Sequence, residues 1–229
     1  LVFGAGAGSR DARALPGRLA WRIGPQWSAG PVLAIGLSQA CCLNGQPTLR
    51  LRPGWGRLRV DIGAAGANPA AAASAVTSPD AMHADGAWLG QWPAAWLVGL
   101  GTPWNTLQPG GVLRLSTQDL KLDWAAGRFA LSGSATLEVR DFSSRIVTLP
   151  RLGSYRLAIH TDPAQAGTAQ IGLSTIDGAL QLSGSGSWGA TGLRLRGEAS
   201  ATDADQPALN NLLNIIGRRE GARSLLSIG

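Results

Sequence analysis

Apolar and polar side chains alternate along most of this chain, and the phase of that alternation divides it into strands. Leu19, Trp21 and Ile23 are separated by Ala20 and Arg22, the two-residue period of a half-buried strand. A second run, Pro31 to Gln39, carries Val32, Leu33, Ile35 and Leu37. Asn44-Gly45 then predicts a hairpin turn. Leu49 and Leu51 oppose Arg50 and Arg52 in the returning strand, and Leu58, Val60 and Ile62 oppose Arg57, Arg59 and Asp61 in the next.

Farther along the strands lengthen. Leu113 and Leu115 share a face, whereas Leu120, Leu122 and Trp124 take the opposite parity. A change of phase requires an inserted residue, so a bulge or bend is predicted near Thr117 to Asp119. Phe129, Leu131, Gly133, Ala135, Leu137 and Val139 hold one parity without a break. Tyr155, Leu157 and Ile159 form another strand. Ile171 and Leu173 precede an Asp177-Gly178 turn. Leu180, Leu182, Gly184, Gly186 and Trp188 then share a face, and Leu193 and Leu195 begin the return. Glycine on the apolar side lets a sheet coil, so the predicted fold is mainly β: one long, strongly curled antiparallel sheet, a half-barrel or open barrel-like meander.

Three stretches break the pattern. Residues 63–92 form an Ala-rich irregular insertion, at the end of which Trp88 and Trp92 begin a four-residue spacing, continued by Trp96, that fits one helical face. Pro93 can open a helix but not sit inside one, so a short central helix is predicted from Pro93 to Val98, ended by Gly99 and Gly101. Leu100 to Gly111, with Pro103, Pro109, Gly110 and Gly111, is the densest turn punctuation in the chain and reads as a rigid corner within a single sheet system. Near the C-terminus Asp205 caps an amphipathic helix, Pro207 lies in its first turn, and Leu209, Leu212, Leu213 and Ile216 form its apolar stripe, for packing or for a partner. Residues 1–16 read as a flexible lead-in, and 17–229 as a single β domain.

Composition bounds the function more than it reveals it. The 229 residues have a formal net charge of +6, with Lys121 the only lysine, yet the arginines are scattered along the sequence. That argues against nucleic acid, which wants clustered charge. Cys41 and Cys42 read as thiols on opposite faces of a strand, because a disulfide between neighbours strains the bond's usual geometry. His83 and His160 lack metal-ligand spacing. Gly184-Ser-Gly-Ser-Trp-Gly189 matches a dinucleotide-loop pattern, but it leads into the strand Leu193-Arg-Leu-Arg rather than a helix that could meet a pyrophosphate. Gly172-Leu-Ser-Thr-Ile lacks the second glycine of a nucleophile elbow. No catalytic residue, cofactor site or metal site is predicted.

Trp92-Pro-Ala-Ala-Trp-Leu, Leu100-Gly-Thr-Pro-Trp-Asn-Thr-Leu-Gln-Pro-Gly-Gly, Asp141-Phe-Ser-Ser-Arg, Leu152-Gly-Ser-Tyr-Arg-Leu and Leu209-Asn-Asn-Leu-Leu-Asn-Ile-Ile-Gly-Arg-Arg together resemble the type II secretion system protein N family. The resemblance implies a non-enzymatic accessory subunit: a bitopic inner-membrane protein with a periplasmic domain, in contact with the secretin or the inner-membrane platform proteins. The chain does not begin with methionine, and the spanning helix is expected upstream. The other reading is a periplasmic carrier or bridge for lipid or another apolar ligand, with Phe129, Leu131, Leu137, Leu182 and Trp188 lining a groove.

Overall fold

The computed structural model of the chain describes residues 2–3, 13–14, 18–27, 31–43, 47–63, 87–102, 104–161, 167–189 and 192–229. Its frame is an antiparallel pair of unusual length, β8 (Pro109–Ala125) and β9 (Arg128–Ser144), each of 17 residues. Beyond β9 the sheet continues through β10 (Gly153–Thr161), β11 (Ala169–Gly178), β12 (Leu180–Gly189) and β13 (Gly192–Ala201) to β15 (Arg223–Ile228) and β14 (Arg218–Glu220). On the other side of β8 lie β6 (Arg57–Gly63), β5 (Thr48–Gly54), β4 (Pro31–Ser38) and β3 (Ala20–Trp27), in that order. β7 (Ala87–Pro93) also pairs with β8, giving a mainly β, curled and open antiparallel sheet of 13 strands. A separate ribbon of β1 (Val2–Phe3) and β2 (Arg13–Ala14) lies within the stretch expected as a flexible lead-in.

The predicted bulge is where the sheet forks. β7 pairs with β8 from Val112 to Thr117, and β6 pairs with it from Lys121 to Ala125. Between them the β8–β9 register slips at Gln118/Lys121, with Asp119 at φ +50° and Gly133 opposite it at φ +93°. The inserted residue reverses the parity of β8, which is why Leu115 and Leu122 face the same side. A second slip at Gly110/Val112, with Asp141 at φ +51°, turns Phe142 onto the apolar face.

The short central helix expected from Pro93 to Val98 is present, and Trp88 and Trp92 lie ahead of it in β7, which occupies the last residues of the stretch expected as an irregular insertion. Helical geometry begins only at Ala94, as a 3-10 helix through Leu100 with Gly101 as its C-cap. A spacing of four residues is about one helical turn but also two strand repeats, so the tryptophans could not separate the two. Trp92 and Trp96 still stack, with ring centroids 6.2 Å apart. Cys41 and Cys42 lie in a turn rather than a strand and form a disulfide with each other. That turn ties the fork together, because Gln91 N donates to Cys42 O at 2.6 Å and Leu43 bridges Gly90. The Asn44-Gly45 turn lies outside the described residues, although β4 and β5 pair antiparallel across it.

α1 (Trp104–Leu107) supplies the corner before β8, and α2 (Gln206–Ile216) covers the apolar face at that same end of the sheet. The core lies between them, built from Leu107, Phe142, Leu152, Tyr155, Leu180, Ala199, Leu209, Leu212 and Leu213.

Candidate interaction surfaces

Four of the five quoted segments meet at this core. Leu107 comes from the corner, Phe142 from Asp141–Arg145, Leu152 and Tyr155 from the segment after it, and Leu209, Leu212 and Leu213 from α2. Phe142 and Tyr155 pack edge to face, 5.9 Å between centroids at 76°. Tyr155 donates its hydroxyl to Leu180 O at 3.1 Å, and burial pushes its phenol well above the ordinary tyrosine range, so it stays a donor. Ser144 donates to Leu107 O at 2.5 Å, and Leu152 N donates to Phe142 O at 2.7 Å. These contacts fix the corner and α2 against the long strands.

Outside the core, Arg151 links three strands. Its Nε donates to Asp141 Oδ1 at 2.7 Å, and its second guanidinium nitrogen reaches Asp177 and Ser154. On the polar side of the sheet Glu138 is 4 % exposed and accepts from Arg156 and Arg140, at 2.9 and 2.6 Å. Burial raises its carboxyl, but the hydrogen bonds and charge of the two arginines outweigh that and hold it below the usual carboxylate range. These are fully committed structural pairs rather than groups poised for chemistry. No set of three His, Cys, Asp or Glu side chains able to hold a metal occurs among the described residues.

The helix residues divide by burial. Leu209, Leu212 and Leu213 are 0–2 % exposed, and Ile216 packs beside them. Pro207, Asn210, Asn211, Asn214 and Ile215 face outward. The groove candidates are spread along the sheet. Leu182 packs against the core, while Trp188 is six residues along the same strand, about 20 Å away at strand rise, and 41 % exposed. Leu137 pairs with Leu115 and Leu157, and Leu131 with Leu122. Phe129 pairs with Trp124 through its backbone, and its side-chain placement lies outside the described residues. What these positions share is one face: the apolar side continues past α2 through Leu157, Ile159, Leu173 and Leu195.

Strand pairing also gathers cations that lie apart in sequence. Register places Arg50 opposite Asp61, Arg52 opposite Arg59, Asp61 opposite Lys121 and Arg59 opposite Asp123, all on the polar face. Only the alternation of Arg50, Arg52, Arg57 and Arg59 hinted at this, and the contribution of β8 was invisible without its register.

No helix among the described residues is long and apolar enough to cross a membrane, which says nothing about strands. No curated protein matches the chain, and no solved structure does. The sequence model of type II secretion system protein N matches residues 5–225, nearly the whole chain. With its motif segments meeting in one core, the chain belongs to the type II secretion system protein N family, an accessory family of that machinery.

Proposed function

We propose that the chain is the periplasmic domain of a bitopic inner-membrane subunit, anchored by a spanning helix upstream. Its work is to hold other type II secretion components in place, through contacts with the secretin or the inner-membrane platform. The observation that carries this reading is the use of the motif residues. They build a fixed core and leave an open sheet whose outermost strands, among the described residues, are β3 and β14, an arrangement to which another chain can add a strand. The outward face of α2, with Asn210, Asn214 and Ile215, offers a second contact surface.

The test is photo-crosslinking in intact envelopes from Arg22 on β3, Asn214 on α2 and Arg218 on β14. A secretin or platform subunit captured from any of these positions, with export impaired when the gene is deleted, is the expected result. No captured secretion component together with unimpaired export refutes it.

One observation favours a second reading, a carrier or bridge for an apolar ligand: beyond α2 the apolar face continues through Leu131, Leu137, Leu157 and Leu173, which are half-buried. Native mass spectrometry of gently purified protein tests it. Bound lipid that leaves on Leu157→Asp substitution supports it, and a ligand-free mass in every preparation rules it out.

A further inference from the structure

At one end of the sheet α2 and α1 bury part of the apolar face, with Leu100, Val112, Ile176 and Ile215 still exposed around them; at the other, tryptophans stand in solvent where strands turn. Trp55 is fully exposed at the two-residue turn between β5 and β6, and Trp124, 43 % exposed, ends β8 beside it. The register brings the two turns together, since Leu58 pairs with Trp124 and Arg57 with Ala125, and Ala126 N donates to Gly56 O at 3.5 Å. Four strand spacings away, about 19 Å along the sheet, Trp188 pairs with Leu193, and both are 41 % exposed.

Cations stand immediately behind the first pair of turns. Arg50, Arg52, Arg57, Arg59 and Lys121 share the polar face there with Asp61 and Asp123, and Asp119 lies close to Asp123 at the bulge. Arg52 binds Asp61 at 2.6 Å, and Arg59 and Arg57 share Asp123 at 2.9 and 3.6 Å. The pairs hold the guanidinium groups along the strands and leave an excess of positive charge at this end.

We propose that this end of the sheet docks on the surface of an anionic lipid bilayer, with Trp55 and Trp124 entering the headgroup boundary and the arginines of β5 and β6 meeting lipid phosphates. An indole is apolar with one polar N–H, which suits it to the boundary between hydrocarbon and water. Two tryptophans at adjacent turns offer little flat area for a folded partner, which needs about 800 Å² per side in a standard interface. A bilayer yields around such a tip instead. The charge excess supplies the complementarity, because basic residues near an anionic membrane surface attract it over about a Debye length. The inference does not depend on the secretion reading, since it concerns the sheet end and not an upstream helix.

Vesicle flotation of the purified chain tests it, comparing vesicles containing phosphatidylglycerol with vesicles of phosphatidylcholine alone. The chain should float with the anionic vesicles and be released by high salt. Trp55→Ala should weaken flotation at an unchanged melting temperature, because the side chain packs on nothing. Arg52→Gln and Arg57→Gln should each lower partitioning about fivefold. Absence of flotation with anionic vesicles overturns the proposal, as does Trp55→Ala floating like the wild type. Equal, salt-insensitive binding to both vesicle types also overturns it, and so does a dimer in solution that Trp55→Ala dissolves.

Discussion

Replacing Gly133 with alanine tests whether the fork in the sheet is built as described. Gly133 lies on β9 opposite the bulge, at φ +93°, a region that L side chains rarely adopt. A Cβ there would stand 2.3 Å from Asp119 O, 2.6 Å from Asp119 C and 2.7 Å from Gln118 O. All three are main-chain atoms of β8, so no rotamer change relieves the contact. The left-handed backbone costs about 1–2 kcal/mol with a Cβ, and forced overpacking about 1–3 more. Together that is about 2–5 kcal/mol, set against a total stability of about 5–15. At about 2–4 °C per kcal/mol for a chain of this size, the melting temperature should fall by about 4–20 °C. Far-UV circular dichroism during heating and in urea reads the change. Gly172→Ala on β11 is the control, because a Cβ there meets nothing within 4 Å and its effect should stay within about 0.5 kcal/mol. If the two variants melt together, Asp119 is not seated against Gly133 and the account of the fork is wrong.

Leu213→Ala, at a position wholly removed from solvent, should cost about 2–5 kcal/mol in urea unfolding. Ile215→Ala, 44 % exposed on the same helix, should stay within about 0.5, and equal losses would mean that α2 does not sit as described. Glu138 has a folded-state pKa below its unfolded value, so its contribution is present above the ordinary carboxylate range, about pH 4, and disappears as pH falls through the folded value. Glu138→Gln should therefore be less stable than wild type at neutral pH and converge with it in acid; a constant difference across pH would exclude the two-arginine arrangement. Alkylation followed by intact-mass measurement should leave Cys41 and Cys42 unlabelled until a reductant is added. Two labels without reductant would show free thiols.

Much of the fold was legible because a strand with one apolar face must write its period into the sequence. The run from Arg57 to Ile62 and the long stretch from Leu131 to Val139 alternate cleanly and are strands. The phase change at Thr117 to Asp119 marked a bulge because a sheet has no other way to change parity. The spacing of Trp88, Trp92 and Trp96 satisfies both periods; Pro93 marked where the helix opens, and strand pairing with β8 holds the first two. The cysteines depart from expectation because a turn, not a strand, holds them.

For the surfaces the division is different. Leu209, Leu212 and Leu213 announced an apolar helical stripe, but whether it met a partner or this chain's own core depended on where β13, β14 and β15 placed α2. The arginines looked scattered because sequence distance hides cross-strand neighbours: Lys121 reaches the patch of Arg50 and Arg52 only through the pairing of β6 with β8. By itself, then, the sequence determined the strands, their faces, the helix and the family, since these follow from local period and motif. Only the tertiary structure decided that the motif segments close one end of the sheet and that tryptophans and arginines meet at the other, because register and sheet order arise from contacts between residues far apart along the chain.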